Sequence, residues 1–188
     1  SFHNIYNNYP DLSFNRLINL TRSQNKGFNK LHANKMILRN AFLQMVDEKL
    51  VKKDKAFLKI LVKKPQRSES GIQSISILTS PYPTWINEKG VKKKQNFSCK
   101  HNCYFCPNEI DPVTRKMVMP RSYLSREPAC LRASRNEFDP IKQIYDRLNT
   151  LEKMGHPLDK LEMIVLGGTV LEYPREYLTY FTTQIFYI

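Results

Sequence analysis

An α/β fold is predicted for this chain by three observations. Ile72-Gln73-Ser74-Ile75-Ser76-Ile77-Leu78 alternates apolar with polar, a long amphipathic stretch starts at Asp139-Pro140, and the short apolar run Leu161–Leu166 stops at Gly167-Gly168. Alternation at period two buries one face of a strand, and an apolar run bounded by glycines reads as a strand buried on both faces. With a further helix expected near Pro174, the order strand, loop, helix, strand, helix opens a βαβ pattern with a parallel sheet. A chain of 188 residues, 41% of them hydrophobic, is long enough for a real core, so disorder throughout is excluded.

Taken in order, residues 1 to 30 mix Phe2, Tyr6, Tyr9 and Phe14 with seven Asn and predict a loop-rich start. In residues 31 to 50, Ala33, Ile37, Leu38, Ala41, Phe42, Met45 and Val46 recur at helical spacing as one stripe, which predicts a helix packed on the rest of the domain. Residues 49 to 67 set Lys52, Lys53, Lys55, Lys59, Lys63 and Lys64 around apolar residues in a pattern that does not decide between helix and strand. After the alternating strand, residues 80 to 98 hold Pro81, Pro83, Gly90 and Lys92-Lys93-Lys94 and predict no regular element, and an irregular stretch continues to Phe138. Asp139 then supplies an N-cap and Pro140 the first helical position. Ile141, Ile144, Tyr145, Leu148 and Leu151 keep the helical stripe until Gly155 ends it.

The 30 basic against 17 acidic residues leave a net charge of +13. That excess favours a polyanionic partner such as nucleic acid, or a phosphorylated ligand, over a neutral one. Four cysteines, three of them between Cys99 and Cys106, fit metal-bound thiolates in a reducing compartment better than a disulfide framework. No apolar run approaches the roughly twenty residues of a membrane span and no leader pattern is present, which predicts a cytoplasmic protein without membrane contact. The opening on Ser1 and the apolar stop at Ile185-Phe186-Tyr187-Ile188 predict a piece of something longer.

Cys99-Lys100-His101-Asn102-Cys103-Tyr104-Phe105-Cys106 puts three thiols in eight residues. Three thiolates on a four-iron cluster leave one iron open to a ligand, whereas four would close it for electron transfer. A zinc site, with His101 or His156 as fourth ligand, is the alternative that the same residues leave open. Cys130, in Pro128-Ala129-Cys130-Leu131, reads as a small packed hydrophobe. Gly167-Gly168-Thr169 follows a predicted parallel strand, at the end where such sheets bind ligands and where glycine lets the backbone come close.

The cysteine interval, with an aromatic just before the last thiol, resembles the cluster loop of the radical S-adenosylmethionine enzymes. That resemblance implies a 4Fe-4S cluster on Cys99, Cys103 and Cys106, with S-adenosylmethionine chelated at the open iron and cleaved to a deoxyadenosyl radical. It also implies Phe105 against the adenine and Gly167, Gly168 and Thr169 at the cofactor's amino group. Within that superfamily, Lys64-Pro65-Gln66-Arg67-Ser68-Glu69-Ser70-Gly71 is similar to the segment before the first barrel strand of the Elongator catalytic-subunit family. Ser122-Tyr123, Glu127-Pro128, Arg132-Ala133, Arg135 and Asp139-Pro140 follow that family's pattern after the cluster. So do Gly155-His156-Pro157-Leu158-Asp159-Lys160, Met163-Ile164-Val165-Leu166-Gly167-Gly168-Thr169, Glu176-Tyr177 and Tyr180-Phe181.

What the resemblance implies is carboxymethylation of the tRNA wobble uridine by a transferase that takes its two-carbon unit from acetyl-CoA, with Lys160 contacting acetyl-CoA. The expected architecture is the N-terminal part of a partial (βα) barrel over residues 71 to 188, preceded by a basic, mainly helical tRNA-binding segment over residues 1 to 70. Lys52, Lys53, Lys63, Lys64, Arg67, Lys92, Lys93 and Lys94 are the expected phosphate contacts for the anticodon region. Other Elongator subunits, or a second copy of the chain, are the expected protein partners. The stretch from Tyr82 to Ser98 is unusual for the family in length and lysine content. Two other functions compete: a different radical S-adenosylmethionine reaction on RNA such as methylthiolation, and a zinc-stabilised RNA-binding module without catalysis.

Overall fold

The fold is described from a computed structural model over residues 2–25 and 34–188. It comprises helices α1 (Phe2–Asn8), α2 (Phe14–Gln24), α3 (Lys35–Asp47), α4 (Lys55–Ile60), α5 (Pro128–Arg135), α6 (Pro140–Lys153) and α7 (Arg175–Phe186), with strands β1 (Gln73–Leu78), β2 (Thr84–Ile86), β3 (Lys92–Lys94) and β4 (Leu161–Leu166). The chain divides into two compact units, one of Ser1–Gln73 with Asn149–Lys160 and one of Ser74–Leu148 with Leu161–Ile188. No helix among the described residues is long and apolar enough to cross a membrane.

The first unit is helical from its start, where the asparagine content predicts loops. Phe2, Ile5 and Tyr6 of α1 and Leu17 and Ile18 of α2 are buried with Phe42, Phe57 and Leu61 in one core. Burial of that apolar face outweighs the weak helix propensity of Asn, the usual way in which packing overrides local preference. Phe57 sits at the centre, its ring centroid 4.8 Å from Phe42, 5.0 Å from Tyr6 and 5.9 Å from Phe2. The predicted helix over residues 31 to 50 is present as α3, with Asn34 capping it by accepting from Ile37 N at 3.0 Å. Leu31 and Ala33 lie outside the described residues. The ambiguous lysine-rich stretch becomes α4, decided by an Asp54 cap that accepts from Phe57 N at 2.9 Å. Lys52, Lys53, Lys63, Lys64 and Arg67 are all exposed.

The second unit is mixed α/β. β1 pairs with β4 in a small parallel sheet, and Thr79 N donates to Leu166 O at 2.8 Å just beyond the strand ends. The other edge of β1 is sealed by side chains. The Arg132 guanidinium donates to Ser76 O at 2.9 Å, and the buried Gln143 amide both accepts from Leu78 N and donates to Leu78 O, each at 2.9 Å. Those three backbone groups are therefore satisfied without a strand on that side.

Three expectations are corrected in this unit. β4 is exposed or half-buried along its length rather than buried, with Leu161, Ile164 and Val165 37%, 38% and 40% exposed. Its only pairing among the described residues is with β1, which leaves its outer side uncovered. The stretch to Phe138 contains α5, whose Cys130 and Ala133 pack on Leu78 and Met119. The predicted loop over residues 80 to 98 contains the antiparallel β2–β3 hairpin, with Thr84 opposite Lys94, Trp85 opposite Lys93 and Ile86 opposite Lys92. The other elements form as expected: α6 starts at Pro140 with Asp139 Oδ1 accepting from Lys142 N, and α7 follows Pro174.

Candidate cysteine loop and glycine turn

The parallel pairing brings the ends of β1 and β4 together, and the turn after β4 is built on that junction. The Tyr173 hydroxyl lies 2.7 Å from Thr79 Oγ1 and accepts from Gly168 N at 3.1 Å. Tyr173 is buried, and burial pushes its hydroxyl pKa up, so it stays a neutral hydrogen-bonding group. A Cβ on Gly167 would run into Thr79 Oγ1, and one on Gly168 would lie 2.7 Å from Ser98 O and 3.5 Å from Cys99 Cβ. Both glycines are therefore required by close approach, the second of them to the first residues of the cysteine loop.

The loop itself is held at three points. Ser98 is fully buried, and its Oγ accepts from Arg121 N at 2.8 Å while the Arg121 guanidinium donates to Asn102 Oδ1 at 2.8 Å. Glu172 places Oε1 3.2 Å from His101 Nε2 and Oε2 3.5 Å from Lys100 Nζ, so one carboxylate faces both residues that follow Cys99. Cys99 Sγ lies 3.5 Å from Thr169 Oγ1. Burial works to raise the Cys99 thiol pKa. Hydrogen bonds from the Thr169 side chain and from the backbones of His101 and Thr169 outweigh it, and the Glu172 charge opposing them does not reverse the result, so the thiol sits below its ordinary range.

Cys103 and Cys106 bracket a turn in which Cys106 N donates to Cys103 O at 3.1 Å. Cys103 is exposed and Cys106 half-buried, and all four cysteines are free thiols. Tyr104 and Phe105 point into solvent, Phe105 being 88% exposed. Among the described residues no three His, Cys, Asp or Glu side chains converge closely enough to hold a metal ion. The donor set fits a soft metal or an iron–sulfur cluster in kind: three free thiols in eight residues, one of them with its pKa lowered by Thr169 and the neighbouring backbone.

Of the predicted site residues, the fold brings together Cys99, Gly168 and Thr169, with Gly167 one residue away. Lys92, Lys93 and Lys94 are exposed on β3. Lys160, also exposed, belongs to the first unit, where its carbonyl accepts from Gln73 N at 2.9 Å. Tyr173, Thr79, Glu172 and Ser98 were not foreseen. No local pattern announces them, because the Tyr173–Thr79 bond spans 94 residues and the Glu172–His101 contact 71.

Tyr173→Phe is expected to destabilise the second unit by about 1–3 kcal/mol by leaving Gly168 N and Thr79 Oγ1 short of a partner. Gly168→Ala is expected to cost about the same by overpacking against Ser98. Urea unfolding of both variants checks this; unchanged midpoints would show that the turn does not support the loop.

No protein-family model matches the chain. It is 38% identical to the tRNA uridine(34) acetyltransferase of Methanocaldococcus infernus over 128 residues, which is 68% of this chain and 21% of that protein. The same-named protein of Methanocaldococcus jannaschii is also 38% identical over 128 residues, covering 68% of this chain and 20% of its own length. Elongator complex protein 3 of Homo sapiens is 33% identical over 132 residues, 70% of this chain and 22% of that protein. The chain thus spans about a fifth of the length of the curated relatives it matches. Over that stretch it belongs to the family that unites the tRNA uridine(34) acetyltransferases with Elongator complex protein 3.

Proposed function

We propose that the chain is part of a tRNA-modifying transferase acting on the wobble uridine, with acetyl-CoA as donor and with radical S-adenosylmethionine chemistry at the cysteine loop. The observation that carries this reading is the packing of the Gly167-Gly168-Thr169 turn against Cys99 within a chain 38% identical to proteins named for uridine(34) acetylation. Cys99, Cys103 and Cys106 are the residues that would hold a 4Fe-4S cluster, and Gly168 and Thr169 the backbone beside it open to S-adenosylmethionine. When bound, the cluster supplies the electron for reductive cleavage of that cofactor.

The remaining roles rest on this chain's own side chains. Glu172 orients Lys100 and His101 and with them the start of the loop. Tyr173 and Thr79 keep the glycine turn at the junction of β1 and β4. Phe105, free in solvent, is available to cover an adenine. Lys160 is the candidate for the acetyl-CoA phosphates, and the exposed Lys52, Lys53, Lys63, Lys64 and Arg67 supply positive charge for tRNA. The uncovered apolar side of β4 is where the next strand of a partial barrel would pair. A cytoplasmic location and association with other Elongator-type subunits, or with a second copy, accompany the same reading.

Anaerobic reconstitution of the chain with iron and sulfide tests it. About four irons per chain, with a visible spectrum perturbed by S-adenosylmethionine, is the expected result. Tight stoichiometric zinc without a stable cluster would replace the enzyme reading by an RNA-binding module built on the same thiols.

A further inference from the structure

The β2–β3 hairpin, which carries the expected phosphate contacts Lys92, Lys93 and Lys94, is an ordered element that the sequence pattern does not predict. Its turn is built for rigidity: Asn87 Oδ1 accepts from Lys89 N at 3.1 Å and Val91 N at 2.8 Å, and Asn87 N donates to Val91 O at 3.0 Å. Its base is anchored by Trp85, only 8% exposed, whose indole N–H donates to Glu176 Oε2 at 2.8 Å and whose ring lies 6.1 Å from Tyr177. At the open end Gln95 N donates to Pro83 O at 2.9 Å, and the Gln95 amide donates to Glu172 O at 3.2 Å. The strand that carries three lysines is therefore tied to the same Glu172 whose carboxylate faces Lys100 and His101 of the cysteine loop.

β3 consists of Lys92, Lys93 and Lys94, all exposed, with Lys89 in the turn. Among the described residues no carboxylate pairs with Lys92, Lys93 or Lys94. Three adjacent like charges repel one another, and a bound polyanion relieves that repulsion. Strand alternation puts Lys92 and Lys94 on one face, about 7 Å apart, close to the step between phosphates of an extended nucleic-acid strand. Lys93 shares the opposite face with its partner Trp85. The Lys94 ammonium is 5.0 Å from the Tyr82 ring centre, and Ile86, opposite Lys92, is 67% exposed. Cation, aromatic and apolar surface together suit an unpaired RNA strand better than a bare phosphate.

We propose that the β2–β3 hairpin is an RNA-docking arm, in which Lys92 and Lys94 grip the backbone of a single-stranded RNA segment and hold it next to the cysteine loop. The proposal rests on the tRNA reading and adds to it the single-stranded character of the segment held and the face of the hairpin that holds it. Because the arm is already ordered, little conformational freedom is lost on binding.

Trp85 is the only tryptophan in the chain, so its emission reports on the hairpin directly. The test is titration of the full chain with a labelled tRNA anticodon stem-loop at several salt concentrations, followed by RNA anisotropy and Trp85 emission. Lys92→Gln with Lys94→Gln is expected to weaken binding by about tenfold and to lower the salt slope by about 1.4, two single-strand phosphate contacts. Lys93→Gln is expected to change it less, and the double arginine variant to restore it. Unchanged Trp85 emission in the free variants verifies an intact hairpin, and the arginine pair keeps the comparison available if the glutamine pair unfolds.

An unchanged affinity and slope in the glutamine pair, with Lys52→Gln and Lys53→Gln weakening binding, would overturn the arm while leaving the tRNA reading in place. Absence of RNA binding by the unsubstituted chain would overturn both. Competition by polyglutamate as strong as by RNA would overturn the RNA assignment in favour of an acidic protein surface.

Discussion

Replacing any one of Cys99, Cys103 or Cys106 by Ala is expected to abolish stable iron binding, while Cys130→Ala leaves it intact. The contrast comes from where the fold puts the four thiols. Cys130 is fully buried on α5, and burial first, then the Glu127 carboxylate 3.8 Å from its sulfur, push its thiol up to about 11. At neutral pH it is an uncharged, inaccessible hydrophobe, neither nucleophile nor ligand. Cys99 is held below its ordinary range by Thr169 and the neighbouring backbone, and Cys103 is open to solvent. Iron and sulfide analysis of the four single variants measures the effect. Iodoacetamide labelling of the cluster-free chain adds a second readout, with Cys130 protected until the chain unfolds. Equal iron loading in all four variants would sink the assignment.

Phe57→Ala is expected to lower the stability of the first unit by about 3–5 kcal/mol, the range for truncating a fully enclosed aromatic. Its ring touches residues of two other helices, Phe2, His3 and Tyr6 of α1 and Phe42 of α3, in a core that also holds Leu17 and Ile18 of α2. A cavity there removes contacts from α1 and α3 at once, and the flanking rings cannot all move in to fill it. The exposed neighbour Lys55→Ala should change stability by no more than about 0.5 kcal/mol. Thermal or urea unfolding followed by far-ultraviolet circular dichroism separates the two. A small loss at Phe57 would mean that α1 and α3 do not close on it in solution.

These two predictions draw on information of different kinds. The cysteine spacing, the Asp139-Pro140 start of α6, the alternation of β1 and the glycine pair after β4 were readable in the chain, because each depends on residues within a few positions of one another. The helices of residues 2 to 24 were not. Their asparagines favour turns locally, and only burial of Phe2, Ile5, Tyr6, Leu17 and Ile18 against Phe42 and Phe57 reverses that preference. The β2–β3 hairpin was hidden in a similar way: three consecutive lysines mask the period of a strand, although Asn87 and Gly90 carried the turn signal. β4 looked buried because its residues are apolar, but exposure depends on what lies alongside it, and β1 covers only one edge.

By itself, then, the sequence determined the α/β class, the cationic character, the three-thiol motif and the kinship with the Elongator catalytic-subunit family, all properties of composition or short-range spacing. Only the tertiary structure decided that Gly168 packs on Ser98 and Cys99, that Tyr173 and Thr79 hold that turn, that Glu172 faces Lys100 and His101, and that the lysines of β3 stand on an anchored ribbon. The reason is distance along the chain: these contacts join residues some 70 to 94 positions apart. No local periodicity encodes such pairs, and they arise when β4 docks in parallel beside β1 and carries the glycine turn to the cysteine loop.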